Sequence, residues 1–378
     1  MGELVAVAGS VAQRPGRGGH AWVFLQYLLG FRRLGHEVLF LDRLTAEMLP
    51  PGRDRSLGAE VEWLRETMAG HGLESDYCLL LEGANESVGL TRAEALERLR
   101  GATLLLDVMG FLEDEEMLAA APRKAYLDID PGFPQMWQEL GLHRSFGDHD
   151  AYATVGLRVG REGSEVPICG VEWFPTLQPV VLEEWPATPP GRAYTSVGSW
   201  RGPFEPIEFR GERYGLRAHQ LRRFARLPAA AEVPLELALD IDEADRGDKE
   251  LLREGGWRLV PPAQVAATPD DYRRYVQNSR GEVGVAKDIY VRSRGGWLSD
   301  RSLCYLASGK PVLAQATGFE LEVETGSGLL AFAEPEEARA GLEEIERDYD
   351  RHSAAARELA RERFGSDRVL GELLEALA

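Results

Sequence analysis

Residues 293–313 read SRGGWLSDRSLCYLASGKPVL. The stretch opens on a glycine-rich loop, Gly295-Gly296, and Ser299 then occupies a position that favours a helix N-cap. The residues after Ser299 predict a two-turn helix that ends at Gly309, and the apolar run behind it predicts a buried strand. A loop, a helix and a strand in this order are typical of an α/β protein.

The loop and helix start of this stretch form a candidate anion site. The first turn of a helix presents free backbone amides and the positive end of the helix dipole, which suits a diphosphate. Lys287, Arg292, Arg294 and Arg301 lie close in sequence and can neutralise such a ligand. The alternative is an ordinary helix–strand unit in which the two glycines only form a turn.

The same alternation of apolar runs and helical segments extends over the rest of the chain. In the first half, Leu4–Ala8 predicts a strand, Ala21–Arg33 a helix and Glu37–Asp42 a second strand. In the second half the alternation restarts, with strands predicted at Ala193–Val197 and Leu235–Leu239. We therefore predict an α/β protein of two Rossmann-like domains, with parallel sheets that face an interdomain cleft.

A proline-rich segment separates the two halves. Residues 171–192 contain five prolines and two tryptophans and follow neither the helical nor the strand period. Such a composition is typical of a semi-rigid connector. The predicted division is an N-terminal domain over 1–175, a linker over 176–192, a second domain over 193–352, and C-terminal helices over 353–378 that can pack back on the first domain.

Composition and charge exclude several classes of partner. The 378 residues carry 43 basic and 62 acidic side chains, and the formal net charge of −19 repels nucleic-acid phosphates and anionic membranes. No apolar run reaches the ~18 residues of a membrane span, and the N-terminal residues do not resemble a secretion signal. Cys78, Cys169 and Cys304 are odd in number and widely spaced, without zinc-site spacing. We expect a cytoplasmic protein with no membrane span and no nucleic-acid partner.

The stretch 293–313 resembles the donor-binding region of glycosyltransferases of the GT-B fold, which has two Rossmann-like domains. In that family a Gly-Phe or Gly-Trp loop leads into a helix that ends in Ala-Cys/Ser-Gly-x-Pro-Val. Three further segments, EVGVAK (282–287), YLDIDPGF (126–133) and CGVEWFPT (169–176), are similar to a bacterial group related to the CgeB-like transferases. The resemblance covers most of the chain. It implies transfer of a sugar from a nucleotide-diphosphate sugar, held by the second half, to an acceptor above the first half.

The resemblance implies a set of donor-binding residues in the second half. Gly198 and Ser199 follow the first strand of that half, where the family's loop touches the diphosphate or the base. Thr317 and Gly318 lie where the family's donor-sugar loop lies. For both loops the alternative is an ordinary surface turn. The complete predicted set is Gly198, Ser199, Lys287, Arg294, Gly295, Gly296, Ser299, Asp300, Arg301, Ser302, Thr317 and Gly318.

One position departs from the family pattern. Many retaining members have a glutamate three residues before the alanine of the Ala-x-Gly motif, where it binds the nucleotide ribose, and this chain has Cys304 there. A thiol cannot form the paired hydrogen bonds that a carboxylate gives to a ribose diol. Ribose recognition then moves elsewhere, with Asp300 as a candidate, or is absent. The stereochemical outcome of transfer stays open.

His20 is the predicted general base. It follows the glycine-rich loop 9–19 and resembles the Gly-His that opens the first helix in inverting glycosyltransferases. In those enzymes this histidine takes the proton of the acceptor hydroxyl, a task that suits an imidazole because it titrates near neutrality. The alternative is a purely structural role at the start of the helix.

A carboxylate is expected beside that histidine, because it fixes the tautomer and stabilises the imidazolium. Asp107 and Asp130 both follow predicted strands of the first half, whose carboxyl ends face the cleft. Asp130, in DIDPG (128–132), is the preferred candidate for the second catalytic residue. An Asx turn before Pro-Gly is its structural alternative.

Nothing in the sequence indicates a resident cofactor or a metal. The nucleotide-diphosphate sugar is the expected co-substrate, and a small molecule or glycan is the expected acceptor. His143, His149, His219 and His352 show no metal-ligand spacing. Two other functions remain open: a nucleotide-sugar epimerase on the same fold, which turns over the donor without acceptor, and a non-catalytic module that binds a sugar nucleotide or a glycan.

Overall fold

The computed structural model describes residues 2–48, 58–81, 86–202 and 204–377. These residues form an α/β structure with one eight-stranded and one six-stranded sheet. Because all but one of the strand pairs within these two sheets are parallel, the predicted class is confirmed. No helix among the described residues has the length and apolar character needed to cross a membrane.

The first sheet occupies the first half of the chain. Its strands are β1 (Leu4–Ala8), β2 (Glu37–Leu44), β3 (Tyr77–Leu81), β4 (Glu86–Gly89), β5 (Ala102–Val108), β6 (Lys124–Asp128), β7 (Ala151–Thr154) and β8 (Trp173–Pro175). They lie in the order β4-β3-β2-β1-β5-β6-β7-β8, and β4 is antiparallel to β3. The central strand β1 therefore lies between β2 and β5, with its carboxyl end at the same edge as that of β6.

The second sheet occupies the second half. The strands of this half are β9 (Tyr194–Ser199), β10 (Ile207–Phe209), β11 (Glu212–Tyr214), β12 (Leu235–Asp240), β13 (Arg258–Val260), β14 (Gly281–Gly284), β15 (Val312–Gln315) and β16 (Leu329–Phe332). The sheet order is β13-β12-β9-β14-β15-β16, while β10 and β11 form a separate antiparallel hairpin. Neither this hairpin nor β4, β7 and β8 was expected, because short strands have too few residues to show a period.

Helices cover both sheets. They are α1 (Gly18–Arg33), α2 (Gly58–Ala69), α3 (Arg92–Arg100), α4 (Glu115–Ala120), α5 (Phe133–Glu139), α6 (Arg217–Arg223), α7 (Leu227–Ala230), α8 (Arg246–Glu254), α9 (Pro262–Val265), α10 (Pro269–Gln277), α11 (Asp288–Ser293), α12 (Asp300–Ala307), α13 (Pro335–Arg347), α14 (Tyr349–Leu359) and α15 (Ser366–Leu377). The predicted helix at Ala21–Arg33 thus begins three residues earlier than expected.

The proline-rich connector is fixed to the second half. The buried Lys310 ammonium donates to the carbonyls of Thr188, at 2.9 Å, and Pro189. Arg357 of α14 donates to the Trp185 carbonyl at 2.7 Å. These bonds attach the connector to the second half, whereas its stiffness and the domain limits stay predictions.

Helix α1 packs against the C-terminal helix α15, against α10 of the second half and against the connector. A Cβ added at Gly30 would lie 2.5 Å from Leu370 and 2.9 Å from Ser366, so α15 packs directly on α1. On the same helix, the Trp22 indole donates to the Pro269 carbonyl at 2.9 Å and packs edge-on against Trp185, with ring centroids 4.9 Å apart. Helix α1 therefore joins the first sheet to elements from the far end of the chain.

Candidate active site

The carboxyl ends of β14 and β15 and the N-terminus of α12 enclose a small depression. Three predicted donor residues, Ser299, Arg301 and Ser302, lie in its wall. The other lining residues are Gly284, Val285, Ala286, Trp297, Leu298, Ala314, Gln315 and Phe319. The depression thus forms where the loop–helix–strand stretch predicted an anion site.

Helix α12 begins as the sequence predicts. Ser299 is its N-cap, and the Ser299 hydroxyl accepts a hydrogen bond from the Arg301 amide at 3.3 Å. Asp300 is the first helical residue, and burial raises the pKa of its carboxyl. Ser302 is buried one turn into the helix, where its amide donates to the Ser299 carbonyl at 3.0 Å.

Arg301 is bound within the protein, contrary to the expectation of a guanidinium free for a diphosphate. Its Nε donates to Glu282 at 2.5 Å and its Nη1 donates to the Val197 carbonyl at 3.0 Å. The Arg301 side chain is 9% exposed and the Glu282 side chain is fully buried. The positive charge of Arg301 is therefore neutralised by Glu282, even though Arg301 lines the depression.

Arg217, which sequence reasoning missed, supplies an unpaired cation at this edge. It is the first residue of α6, and a Cβ added at Gly198 would lie 2.1 Å from Arg217 Nη1, so the guanidinium packs on the end of β9. Among the described residues, no carboxylate forms an ion pair or hydrogen bond with it. Burial and the charge of Arg301 lower the pKa of Arg217 to about 10. No local spacing links Arg217 to Gly198, so the sequence carries no signal for this contact.

Gly198 and Ser199 are the last two residues of β9, whereas the sequence predicted a loop after a strand that ends at Val197. The absence of a side chain at Gly198 is what lets Arg217 approach the strand. Ser199 lies beside it at the carboxyl end, half-buried. Gly198 therefore contacts the Arg217 guanidinium, and Ser199 is the next residue of the strand.

Lys287 and Asp130 form an ion pair between the two halves. Lys287 is the N-cap of α11, and its Nζ lies 2.7 Å from Asp130 Oδ2. The Tyr290 hydroxyl donates to the other oxygen of Asp130. The Lys287 ammonium also lies over the rings of Phe133 and Phe204, at 5.4 and 5.6 Å from their centroids. Two residues predicted for different roles are thus direct partners.

The loop that carries Asp130 is held by a buried carboxylate. Asp128, at the end of β6, accepts hydrogen bonds from Thr154 at 2.7 Å, Gln135 at 2.6 Å and the Asp130 amide at 3.0 Å. Burial raises the pKa of Asp128 to about 6. The Gln135 side chain also accepts from the Gly132 amide at 2.7 Å. This network fixes the loop and orients Asp130 toward the second half.

His20 lies in the first turn of α1, as the resemblance implied. Its Nε2 is 3.1 Å from the Ser10 carbonyl oxygen and its ring packs edge-on against Phe24. Because a carbonyl only accepts hydrogen bonds, Nε2 carries the proton and Nδ1 keeps its lone pair. Burial lowers the pKa of His20 to about 4. The imidazole is therefore neutral at physiological pH.

The predicted pairing of His20 with a carboxylate is wrong. Asp130 is occupied by Lys287 and Tyr290, while the other candidate, Asp107, accepts from His149 Nε2 at 3.1 Å in the buried interior of the first half. The tautomer of His20 is instead fixed by the Ser10 carbonyl. The strands β1 and β6 are separated by β5, so the backbones that lead to His20 and Asp130 lie about 10 Å apart.

The Gly295-Gly296 loop is packed against the first half. The Gly295 carbonyl accepts from the Arg158 amide at 2.9 Å, and a Cβ added at Gly296 would lie 2.9 Å from that same nitrogen. The Gly296 amide donates to the Thr317 carbonyl at 2.9 Å. The expectation that this amide is free for a phosphate is therefore wrong. These glycines permit a close approach of backbones.

The loop at Thr317-Gly318 is hydrogen-bonded to the segment that follows Gly295. The Thr317 hydroxyl donates to the Trp297 carbonyl at 2.5 Å, and the Gly318 amide donates to Glu320 at 2.9 Å. Gly318 has a φ of +99°, and a Cβ there would lie 2.9 Å from the Arg294 carbonyl. Arg294 itself points outward, with its side chain 53% exposed. The structure thus brings both predicted loops to one rim of the depression.

Cys304 faces the first half. Its thiol is 3% exposed, accepts from Gln26 Nε2 of α1 at 3.8 Å, and donates to the Asp300 carbonyl at 3.5 Å. A buried position against α1 leaves no space for a ligand at the sulfur. Asp300 is the adjacent carboxylate that stays half-buried at the helix start.

Within residues 2–48, 58–81, 86–202 and 204–377, no group of three His, Cys, Asp or Glu side chains is arranged to hold a metal. Metal independence of donor binding stays a prediction.

Comparisons with known proteins identify solved structures that are similar to this chain. No protein-family model and no curated protein matches the sequence. HepE from Anabaena, solved with UDP and glucose, is 12% identical over 99% of this chain and 100% of that chain, with a TM-score of 0.57. An alpha-glucosyltransferase solved with UDP and a 13-mer DNA is 13% identical over 99% of each chain, with a TM-score of 0.59.

Sucrose-phosphate synthase from Thermosynechococcus elongatus is a third similar structure. It is 13% identical over 99% of each chain, with a TM-score of 0.55. At this level of identity the likeness concerns the fold, and the narrower resemblance to CgeB-like transferases stays a prediction. The chain has the two-sheet α/β architecture of the GT-B fold.

Proposed function

We propose that this protein is a glycosyltransferase that moves a sugar from a nucleotide-diphosphate sugar to an acceptor hydroxyl. The observation that carries the proposal is the Arg217 guanidinium, which is half-buried at the end of β9 and has no acidic partner among the described residues. A partly buried cation without a counter-ion is unfavourable, so an anionic ligand is its expected partner. The GT-B fold and its neighbours solved with UDP support a nucleoside diphosphate as that anion.

Bond changes in the proposed reaction place negative charge on the leaving group. The bond between the anomeric carbon and the phosphate oxygen breaks, and a bond to the acceptor oxygen forms. Arg217, Lys287 and the amide end of α12 are the groups that stabilise the departing diphosphate, in place of a metal ion. Each lies at the carboxyl edge of the second sheet.

His20 is the proposed general base. Its Nε2 is held by Ser10, so Nδ1 is the atom that takes the proton of the acceptor hydroxyl. Asp130 belongs to the proposed catalytic set as the carboxylate of the first half that faces the donor residues. The proposed acceptor is a small molecule or glycan, because a net charge of −19 opposes nucleic acid.

Ligand binding followed by turnover tests this function. UDP, ADP, GDP and TDP are compared in a thermal-shift assay, and at least one is expected to raise the melting temperature, because it binds only the folded chain. The matching sugar nucleotides are then incubated with an acceptor panel. Epimerised donor without acceptor would indicate an epimerase, binding without turnover would indicate a binding module, and no binding at all would overturn the proposal.

Arg217→Ala is expected to weaken nucleoside-diphosphate binding by about 10- to 100-fold, the effect of losing one charge-assisted hydrogen bond. The melting temperature should not fall, because the variant removes a half-buried cation that has no acidic partner in the described part of the chain. Isothermal titration calorimetry with the nucleotide selected above measures the affinity. Arg222→Ala is the matched control, since Arg222 lies on the same helix and pairs with Asp248. Equal affinity in the Arg217 variant and the parent would remove Arg217 from the site.

Donor binding is expected to survive removal of divalent metals. The same titration is repeated after dialysis against EDTA, and the dissociation constant should change by less than about twofold, because cationic side chains replace the metal. Recovery of a lost affinity by added Mg²⁺ or Mn²⁺ would show that the prediction is wrong.

A further inference from the structure

We infer that Lys287 is shared between Asp130 and the donor diphosphate, so that donor binding releases Asp130 as an unpaired carboxylate in the cleft. This inference rests on the proposed function. It adds that the Asp130 carboxylate can bind a hydroxyl group of a substrate only after the donor has bound. It predicts that the two substrates bind in order, with the sugar nucleotide first.

The starting state is the ion pair between the halves. Lys287 Nζ lies 2.7 Å from Asp130 Oδ2, and the two side chains are 19% and 17% exposed. Asp130 is the one carboxylate paired with Lys287 in the part of the chain that the structure describes. A half-buried ammonium and a half-buried carboxylate neutralise each other here, so Asp130 offers little charge to a third group.

The pair adjoins the proposed donor site. Ala286, next to Lys287 in the chain, lines the depression at α12, and so does Trp297. The Trp297 ring stacks on Tyr290 with centroids 4.2 Å apart, and the Tyr290 hydroxyl donates to Asp130. Contacts therefore run from the depression through two aromatic rings to the carboxylate.

Arg217 lies close to the helix that carries Tyr290, because the Asp288 amide donates to the Leu216 carbonyl at 3.3 Å and the Ile289 amide donates to the Gly215 carbonyl at 3.0 Å. The charge of Arg217 acts on the Tyr290 hydroxyl, as does that of Asp130. A diphosphate that binds Arg217 therefore lies near the start of α11, whose N-cap is Lys287. The lysine side chain is long and flexible, and its ammonium is a point charge that can turn between two nearby anions.

Competition between those anions decides where the ammonium lies. A diphosphate carries more negative charge than one carboxylate, so it attracts Lys287 away from Asp130. Asp130 then keeps the Tyr290 hydroxyl as a hydrogen-bond donor, and its negative charge is no longer neutralised by the ammonium. In that state it can accept a hydrogen bond from an acceptor or sugar hydroxyl, which explains why the pair bridges the two halves.

Asp130→Asn tests the exchange through binding alone. The variant leaves Lys287 without an ion pair, so UDP no longer has to displace a carboxylate, and the dissociation constant is expected to fall about tenfold. Isothermal titration calorimetry on the full chain measures it, with ADP, GDP or TDP in place of UDP if the thermal-shift assay selects one of them. An unchanged or weaker affinity in this variant, with a binding parent, overturns the inference and leaves the proposed function standing.

A double-mutant cycle separates exchange from simple loss of a negative charge. In a Lys287→Met background, Asp130→Asn should change the affinity by less than about twofold, because the shared cation is gone. An equal gain in affinity in both backgrounds would mean that Asp130 only repels the diphosphate at long range, and it would overturn the inference. Glu322→Gln is the charge control: Glu322 also pairs across the halves, but with Arg158 and Arg161. Failure of the parent to bind any nucleoside diphosphate overturns the proposed function and this inference together.

Discussion

Arg301→Ala is expected to lower the free energy of unfolding by about 3–5 kcal/mol, the effect of breaking a buried ion pair from one side. Glu282 is fully buried, its Oε1 accepts from Arg301, and its Oε2 has no hydrogen-bond partner. Without the guanidinium, the Glu282 carboxylate either stays charged in the protein interior or takes up a proton. Urea unfolding followed by tryptophan fluorescence measures the loss.

Two companion variants identify the cause of that loss. The double variant Arg301→Met with Glu282→Gln removes both charges and is expected to recover most of the stability. Arg339→Ala removes an exposed pair with Glu343 one helical turn away and should change stability by less than about 0.5 kcal/mol. If Arg301→Ala and the parent unfold at the same urea concentration, the ion pair does not stabilise the fold. Arg301 would then again be a candidate ligand of the diphosphate.

His20→Ala is expected to slow sugar transfer by about 10²- to 10⁴-fold, the range for loss of a general base. Donor affinity should be nearly unchanged, because the proposed diphosphate ligands lie on the second half. The parent's rate should fall only as the pH approaches about 4, where His20 becomes protonated, and not near 6.5 as for an ordinary histidine. A pH–rate series on parent and variant with saturating donor measures both effects.

His36→Ala is the matched control, because His36 also follows a glycine and contacts a backbone carbonyl. It should leave turnover within about twofold of the parent. The folded-state pKa of His20 is depressed, so the unfolded chain binds more protons between pH 6.5 and 4, and stability should decrease as the pH falls through that window. His20→Ala removes this part of the acid sensitivity. Normal turnover in His20→Ala would transfer the proposed role to Asp130.

The sequence predicts features that are contiguous in the chain. The apolar runs at Leu4–Ala8 and Leu235–Leu239, and the N-cap at Ser299, lie where they were expected because each depends on neighbouring residues. Their patterns follow from local hydrogen bonding and burial. The class of fold could therefore be predicted before any contact between distant residues was known.

The features of the candidate site that could not be predicted depend on contacts between residues that are distant in the sequence. Arg217 meets Gly198 only because a hairpin returns the chain to the end of β9. Arg301 was expected to be free, but it lies on helix α12 and its partner, Glu282, lies on strand β14. One signal was present: a charged residue inside a buried strand requires a partner of opposite charge. That rule assigns Glu282 a cation without saying which one.

The packing of α15 on α1 means that the first half of this protein, with the helix that covers it, does not correspond to one continuous gene fragment. A fragment that stops at Pro175 leaves the surface around Gly30 uncovered, because Ser366 and Leu370 are encoded at the opposite end. Trp22 loses Trp185 in the same fragment. Exposed apolar surface of this kind promotes aggregation. Fragment complementation should therefore restore a soluble first half only when a peptide that contains α15 is co-expressed with it.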